Sequence, residues 1–147
     1  MHQVIAGIAI SAVLVAASLY LHFSVLRAMS GHFARAKTAI KRPMMTVMTV
    51  IFFTHLVEIT LFAAAFNIMG HVGLGKLSGA YNSTAVDYFY FSIATYSTLG
   101  IGDIAPDGAM RMVAGVEALA GLLLIAWSAS FTYLMMERLW ASGEDRE

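Results

Sequence analysis

Three long apolar stretches divide the chain, at residues 4–26, 44–69 and 112–136. Each can cross a membrane as a helix, because a hydrocarbon core of about 30 Å takes roughly 20 mostly apolar residues. The first stretch contains no Asp, Glu, Lys or Arg, and the other two contain one acid each, Glu58 and Glu117. The pattern predicts an all-α membrane protein with three transmembrane helices.

A fourth apolar stretch, residues 84–96, is too short to span a membrane. Thr84 and Asp87 have the spacing of a capping box, which predicts that a helix begins there. The residues that follow, 97–103, carry two glycines at alternate positions and are called here the glycine-spaced segment. Lipid cannot surround such backbone, since its polar groups must reach water or protein. A short helix and this segment between two spanning helices therefore predict a re-entrant loop.

The composition agrees with a membrane protein and excludes several other classes. The chain is 59% hydrophobic and 12% charged, against about 45–50% and about 25% in soluble domains. Lys and Arg balance Asp and Glu at nine each, so no charge field points to nucleic acid. The absence of cysteine excludes disulfides and thiolate metal sites. With no nucleophile–base pair, metal cage or phosphate loop in the sequence, we do not expect an enzyme.

The charges between the first two apolar stretches predict the orientation. Five basic residues lie there without an acid: Arg27, Arg35, Lys37, Lys41 and Arg42. Because short loops rich in Lys and Arg stay in the cytoplasm, we expect the linker, residues 28–43, to be cytoplasmic in the cell (plasma or inner) membrane. The N-terminus and residues 70–111 are then outside, and a short tail, residues 137–147, is cytoplasmic.

The first apolar stretch also allows a second interpretation, that of a cleaved signal peptide. Residues 1–3 carry no Lys or Arg, however, and the stretch is longer than the apolar region of a signal peptide. A retained helix over residues 1–27 with its N-terminus outside is the favoured prediction. This helix has no arginine ladder, which argues against a voltage sensor.

The run Thr98-Leu99-Gly100-Ile101-Gly102-Asp103 resembles the T-V-G-Y-G-D signature of the potassium-channel superfamily, with Leu for Val and Ile for Tyr. The resemblance extends over residues 44–136. It implies an outer helix, an outer loop, a pore helix, a selectivity filter and an inner helix at residues 44–69, 70–83, 84–96, 97–103 and 110–136. It also implies a homotetramer without a cofactor, in which K+ binds the carbonyl oxygens of Thr98, Leu99, Gly100 and Ile101.

The spacing of the two glycines supports the resemblance on physical grounds. K+ leaves water only where oxygens replace its hydration shell, and rings of backbone carbonyls can do so. Carbonyls that all point to one axis need a backbone of alternating sign, and Gly100 and Gly102 tolerate the positive φ. One such loop cannot encircle an ion, so identical subunits around a closed axis are expected.

Two positions depart from the family pattern. Ile101 stands where relatives carry an aromatic ring that braces the filter, and Ile cannot form a hydrogen bond. Ala94 stands where some bacterial relatives have a glutamate that pairs with the signature aspartate. Asp103 then needs another partner, and Tyr90 is the candidate.

The third apolar stretch predicts the inner pore. A single helical face carries Leu123, Ala126, Ser130 and Leu134. In relatives these positions line the cavity, although a seam of small residues can also serve helix packing. Gly121 lies near the family's gating hinge, with packing as the alternative explanation. We expect an inner gate at residues 131–135, beginning with Phe131.

Charged side chains inside the spans are candidates for function. His55 and Glu58 lie three residues apart on one helical face and can pair locally. A His-x-x-Glu pair can also bind metal, but two ligands alone make a poor site. Glu117 is interpreted as a buttress of the pore helix rather than as an ion contact.

These observations together predict passive conduction of K+ down its electrochemical gradient. One alternative is a weakly selective cation channel that also passes Na+, because of Ile101. Another is a non-conducting membrane scaffold or accessory subunit that retains a pore-like loop. The expected partners are identical subunits, the lipid bilayer and K+, with no nucleic acid.

Overall fold

The computed structural model describes residues 2–35, 43–80 and 82–144. Its elements in chain order are α1 (His2–Arg35), α2 (Pro43–His71), β1 (Leu77–Gly79), α3 (Ala85–Tyr96), β2 (Ile104–Pro106) and α4 (Met110–Glu144). Within these ranges, three helices, α1, α2 and α4, are long and apolar enough to span a membrane. The prediction of an all-α membrane fold is confirmed.

Two helices extend beyond the limits expected from hydropathy. α1 continues past residue 27 to Arg35, so the first part of the expected linker is helical. α4 continues past residue 136 to Glu144. Hydropathy marks where the apolar residues end, whereas a helix continues as long as its backbone hydrogen bonds do. Neither extension contains proline, which would remove such a hydrogen bond. Residues 36–42 of the linker and 145–147 of the tail lie outside the described residues.

The three long helices alternate in direction. A Cβ at Gly7, near the start of α1, would lie 3.2 Å from the carbonyl oxygen of Ala109, just before α4. At the other end of α1, Leu26 and Met29 pack in one cluster with Val47, near the start of α2. α1 and α4 are therefore parallel to each other and antiparallel to α2. The start of α1 thus lies at the same end of the bundle as the loop between α2 and α4.

The main core holds α3 between α2 and α4. Phe62 and Phe66 of α2 and Val113 of α4 are fully buried there, and Phe91 of α3 is buried beside them. The rings of Phe66 and Phe91 meet edge to face, with centroids 5.1 Å apart. Because this core is apolar and closely packed, it fixes the depth of the short helix between the long ones.

A small antiparallel pairing joins β1, which follows α2, to β2, which precedes α4. Leu77 lies opposite Pro106, and Gly79 lies opposite Ile104. Gly79 has a φ of 106°, and a Cβ at this position would overlap the Asp103 carbonyl oxygen. The pairing thus attaches the outer loop to the end of the glycine-spaced segment, a contact that hydropathy did not predict.

Candidate ion-conduction site

The short helix α3 begins at a capping box, as the sequence predicted. The Asp87 amide donates to the Thr84 hydroxyl oxygen at 3.2 Å, and the Thr84 amide donates to an Asp87 carboxylate oxygen at 3.1 Å. The Asn82 amide donates to the same carboxylate at 3.0 Å. These backbone hydrogen bonds, that of Thr84 first, hold the pKa of Asp87 below its ordinary value. The carboxylate therefore stays ionised beside the positive end of the helix dipole.

The glycine-spaced segment has a backbone of alternating sign. Thr98, Gly100 and Gly102 have φ values of 58°, 56° and 84°, and the intervening Leu99 and Ile101 do not adopt positive φ. The left-handed conformation expected for the two glycines is confirmed. Thr98 adopts it as well, although a β-branched residue is rarely found there. Such strained residues persist only where their surroundings hold them, and they concentrate at functional sites.

Backbone hydrogen bonds tie the start of the segment to the end of α3. The amides of Leu99 and Gly100 both donate to the Ala94 carbonyl oxygen, at 2.9 and 3.2 Å. The Thr98 amide donates to the Thr95 carbonyl oxygen at 3.0 Å. The Ala94 carbonyl oxygen therefore accepts two amides and holds the start of the segment against the end of α3.

The end of the segment is held by Asp103. The Tyr90 hydroxyl donates to an Asp103 carboxylate oxygen at 2.9 Å, as the sequence predicted. This hydrogen bond raises the pKa of Tyr90, so the phenol keeps its proton beyond its ordinary range. The Asp103 carbonyl oxygen accepts the Ala80 amide at 2.9 Å, which joins the segment to the outer loop. Both ends of the segment are thus anchored to the same chain.

The segment itself lies on the surface of the single chain. All its residues from Ser97 to Asp103 are exposed. Two apolar side chains are among them, Leu99 at 64% and Ile101 at 54% exposure. Large apolar side chains exposed close together offer a surface for further contacts.

Glu117 lies behind α3 and is fully buried. Its carboxyl group contacts the hydroxyl of Ser92 on α3, and this hydroxyl also donates to the Ile59 carbonyl oxygen at 2.9 Å. The second carboxyl oxygen of Glu117 has no hydrogen-bond partner in the described part of the chain. The carboxyl group is therefore placed to link α4 with α3 and does not face the exposed glycine-spaced segment.

Gly121 lies where the backbone of α4 meets the end of α3. A Cβ at this position would overlap the carbonyl oxygen of Tyr96, the last residue of α3. The structure thus favours the packing explanation for this glycine over the hinge explanation.

The expected inner-pore residues share an exposed face of α4: Leu123, Ala126, Ser130 and Leu134. Phe131 departs from the expectation, since it packs against the buried cluster of Leu26, Met29, Val47 and Ile51. Met135 is also buried. A helix places neighbouring residues about 100° apart, so a bulky residue next to the exposed face turns toward α1 and α2 instead.

Five polar side chains, called here the polar cluster, lie where α1, α2, α3 and α4 meet. They are His22, His55, Glu58, Tyr96 and Ser128. The expected pairing of His55 with Glu58 is present at 3.1 Å. The other oxygen of Glu58 lies 2.9 Å from His22 Nδ1. The Tyr96 hydroxyl donates to Glu58 at 2.6 Å. Sequence reasoning missed the other three members, although His22 is the one titratable side chain other than tyrosine within residues 4–26.

The comparison with known proteins agrees with this geometry. A family described as ion channel matches residues 54–138, more than half of the chain. The chain belongs to this family and carries its two-helix, potassium-channel type of pore module, with α1 as an additional N-terminal helix. It is a membrane protein of an ion-channel family, which is a non-enzymatic class.

One curated relative is the inward rectifier potassium channel Kirbac3.1 of Paramagnetospirillum magnetotacticum. The two sequences are 34% identical over 85 residues, which are 57% of this chain and 28% of the relative. The chain thus matches little more than a quarter of the relative's length.

Proposed function

We propose that this chain forms a homotetrameric potassium channel and that the glycine-spaced segment is its selectivity filter. The observation that carries the proposal is the positive φ at Thr98, Gly100 and Gly102, at every second position of an exposed segment. This alternation turns successive carbonyl groups toward one side, where they can replace the hydration shell of K+. K+ is the permeant ion, and the mechanism needs no cofactor.

The residues from Thr98 to Asp103 have distinct tasks in this mechanism. The carbonyl oxygens of Thr98, Leu99, Gly100 and Ile101 bind K+. Gly102 supplies the positive φ that continues the alternation, and Asp103 with Tyr90 anchors the outer end. α3 ends at the base of the segment, and the negative end of its dipole favours a cation there.

A symmetric oligomer is inferred from the incomplete site in one chain, and the resemblance of this segment to the potassium-channel signature implies four copies. A single segment presents its carbonyls from one side only, so an ion is surrounded only when copies meet around an axis. Leu99 and Ile101 then pack against neighbouring subunits, which covers the apolar side chains that the single chain exposes. The exposed face of α4 with Leu123 and Ser130 lines the cavity below, and the gate belongs on this face, near Leu134.

We expect native mass spectrometry of the detergent-purified chain to show four copies. Gly79→Ala, which crowds the Asp103 carbonyl at the end of the segment, should weaken the assembly. Gly73→Ala is the matched control, because it also places a side chain at positive φ in the outer loop but meets no atom within 4 Å. A dimer or trimer of the unmodified chain would contradict the proposed stoichiometry.

The proposed orientation follows from the basic linker. Arg27 and Arg35 lie at the end of α1 that faces the start of α2, at the end of the bundle opposite to the outer loop. Positive charge at this end favours the cytoplasmic side of the cell membrane. The N-terminus and the filter's outer mouth then face outward, and the tail is cytoplasmic.

The second candidate function is a weakly selective cation channel. It is favoured by Ile101, which has an exposed apolar side chain and no group that can hydrogen-bond to a neighbouring pore helix. A tenfold preference between two ions takes only about 1.4 kcal/mol, so the loss of one brace can remove much of the selectivity.

Reconstitution in lipid vesicles with opposed K+ and Na+ solutions tests selectivity. We expect a reversal potential that favours K+, and Ile101→Tyr should keep or increase this preference if residue 101 occupies the bracing position. Leu99→Val, which restores the family residue without adding a brace, is the control. Reversal near zero would favour the weakly selective channel, and no flux of either ion would favour a non-conducting scaffold.

A further inference from the structure

The polar cluster is almost completely buried. His22 and Glu58 are completely buried, Tyr96 and Ser128 are nearly so, and His55 is the member with some exposure, at 16% of its side chain. The five side chains come from four helices, α1, α2, α3 and α4. Polar groups in such a place need a complete set of partners, because an unpaired one carries a full desolvation cost.

Three of these residues present ligand atoms to one point. His22 Nδ1 lies 2.9 Å from one Glu58 oxygen, and His55 Nδ1 lies 3.1 Å from the other. The ligand atoms of all three residues lie within 4.8 Å of one another. The Tyr96 hydroxyl oxygen lies 2.8 Å from His55 Nδ1. Two imidazole nitrogens and a carboxylate oxygen are a ligand set that Zn²⁺ takes in proteins, and it completes a tetrahedron with one more oxygen.

The other nitrogens of the two rings also fit a metal site. His55 Nε2 and His22 Nε2 lie 3.0 and 3.1 Å from the same Ser128 hydroxyl oxygen. A histidine that binds metal through one nitrogen donates its other N–H to a nearby oxygen, which orients the ring. The Ser128 oxygen has two lone pairs and can accept both N–H groups.

Without an occupant, the six close contacts of the cluster share four hydrogen atoms when both rings are neutral and Glu58 is ionised. A neutral imidazole carries one N–H. If both rings donate toward Glu58, Ser128 has a single hydroxyl hydrogen for two Nε2 atoms. If His22 donates toward Ser128 instead, its Nδ1 lone pair faces a carboxylate oxygen. If His55 does so, the single Tyr96 hydroxyl hydrogen has to serve both His55 Nδ1 and Glu58. A cation between the Nδ1 atoms and Glu58 removes this conflict, because both Nε2–H groups can then donate to Ser128.

We propose that His22, His55 and Glu58 bind a divalent transition-metal ion, with Zn²⁺ as the best fit and the Tyr96 oxygen as the fourth ligand. The ion enters past His55, which lines a groove of about 520 Å³ between α2 and α4. The site joins α1 to the pore module. Tyr96 directly precedes the glycine-spaced segment, so the bound ion braces the base of this segment. The role of this brace rests on the proposed channel function, whereas the metal site itself does not.

The test uses the full-length chain in detergent, with any affinity tag removed and bound metal stripped by a chelator. Co²⁺ is the probe, because a tetrahedral site gives it a much stronger visible absorption than an octahedral one. We expect one Co²⁺ per chain, a strong visible band and loss of this band when Zn²⁺ is added. His22→Gln should weaken Co²⁺ binding by more than tenfold, and Ser128→Ala by about tenfold or more, as outer-shell changes do.

The matched control is His32→Gln, which removes an exposed histidine from the same helix outside the cluster. It should bind Co²⁺ like the unmodified chain. Zn²⁺ should raise the melting temperature of the unmodified chain and of the control but not that of His22→Gln, a readout that separates lost binding from lost folding.

Three results would overturn the metal site. One is an octahedral Co²⁺ spectrum, and another is equal Co²⁺ affinity in His22→Gln and His32→Gln. The third is a melting temperature of the chain that changes with pH but not with Zn²⁺, which would identify an additional proton as the occupant. Tetrahedral Co²⁺ binding in a chain that passes no ions would refute the channel function and leave the metal site intact.

Discussion

Gly121→Ala is expected to reduce ion flux by about tenfold or more, because overpacking of a well-packed site costs about 1–3 kcal/mol. The added methyl group would overlap the Tyr96 carbonyl oxygen, which is backbone and cannot turn aside like a side chain. α4 and the end of α3 must therefore separate. Tyr96 directly precedes the glycine-spaced segment, so this separation displaces the start of the proposed filter.

Gly115→Ala is the control for the same helix. A Cβ at Gly115 meets no heavy atom within 4 Å, and alanine is the stronger helix former. Its flux and thermal stability should match or exceed those of the unmodified chain. Flux through vesicles and the melting temperature in detergent are measured for both variants. Normal flux in Gly121→Ala would contradict the close packing of α3 on α4.

Gly100→Ala is expected to abolish selective K+ flux while the helices remain folded. The space is open, since a Cβ would lie 4.0 Å from the nearest atom, the Thr98 carbonyl oxygen. The φ of 56° is the obstacle, because a side chain in the left-handed region costs roughly 1–2 kcal/mol. The backbone relieves this cost by rotating, and the rotation turns carbonyl groups away from the ion path.

Gly73→Ala separates this effect from general backbone strain. Gly73 has a φ of 74° and open space around it, and it lies in the outer loop after α2. The two variants should lose similar stability in thermal unfolding. Only Gly100→Ala should lose K+ flux in vesicles. Equal flux in both variants would count against residues 97–103 as the filter.

Short-range patterns allowed accurate prediction where neighbouring residues decide the structure. The capping box of Thr84 with Asp87 depends on residues three apart, and it is present as expected. The positive φ of Gly100 and Gly102 was predictable because glycine is the residue that tolerates it without cost. The pairing of Tyr90 with Asp103 followed from the family resemblance together with the missing glutamate.

Thr98 shows where such reasoning stops. Its residue type argues against a positive φ, yet the structure holds it at 58°. The reason lies in its surroundings, since the Leu99 and Gly100 amides both donate hydrogen bonds to the Ala94 carbonyl oxygen and so fix the backbone on either side of Thr98. Phe131 is a second case, because its apolar character suits a pore gate and a buried cluster equally well.

By itself, the sequence determined the three helices long and apolar enough to span a membrane, the short helix α3 with its cap and the positive φ of two glycines. Hydropathy, capping and glycine conformation act over a few residues and can be seen in the order of side chains. Only the tertiary structure decided that His22 joins Glu58 across 36 residues and Ser128 across 106, that Gly121 admits the Tyr96 carbonyl, and that Phe131 turns inward. These contacts depend on the rotation and depth of whole helices, which packing sets and which no local pattern encodes.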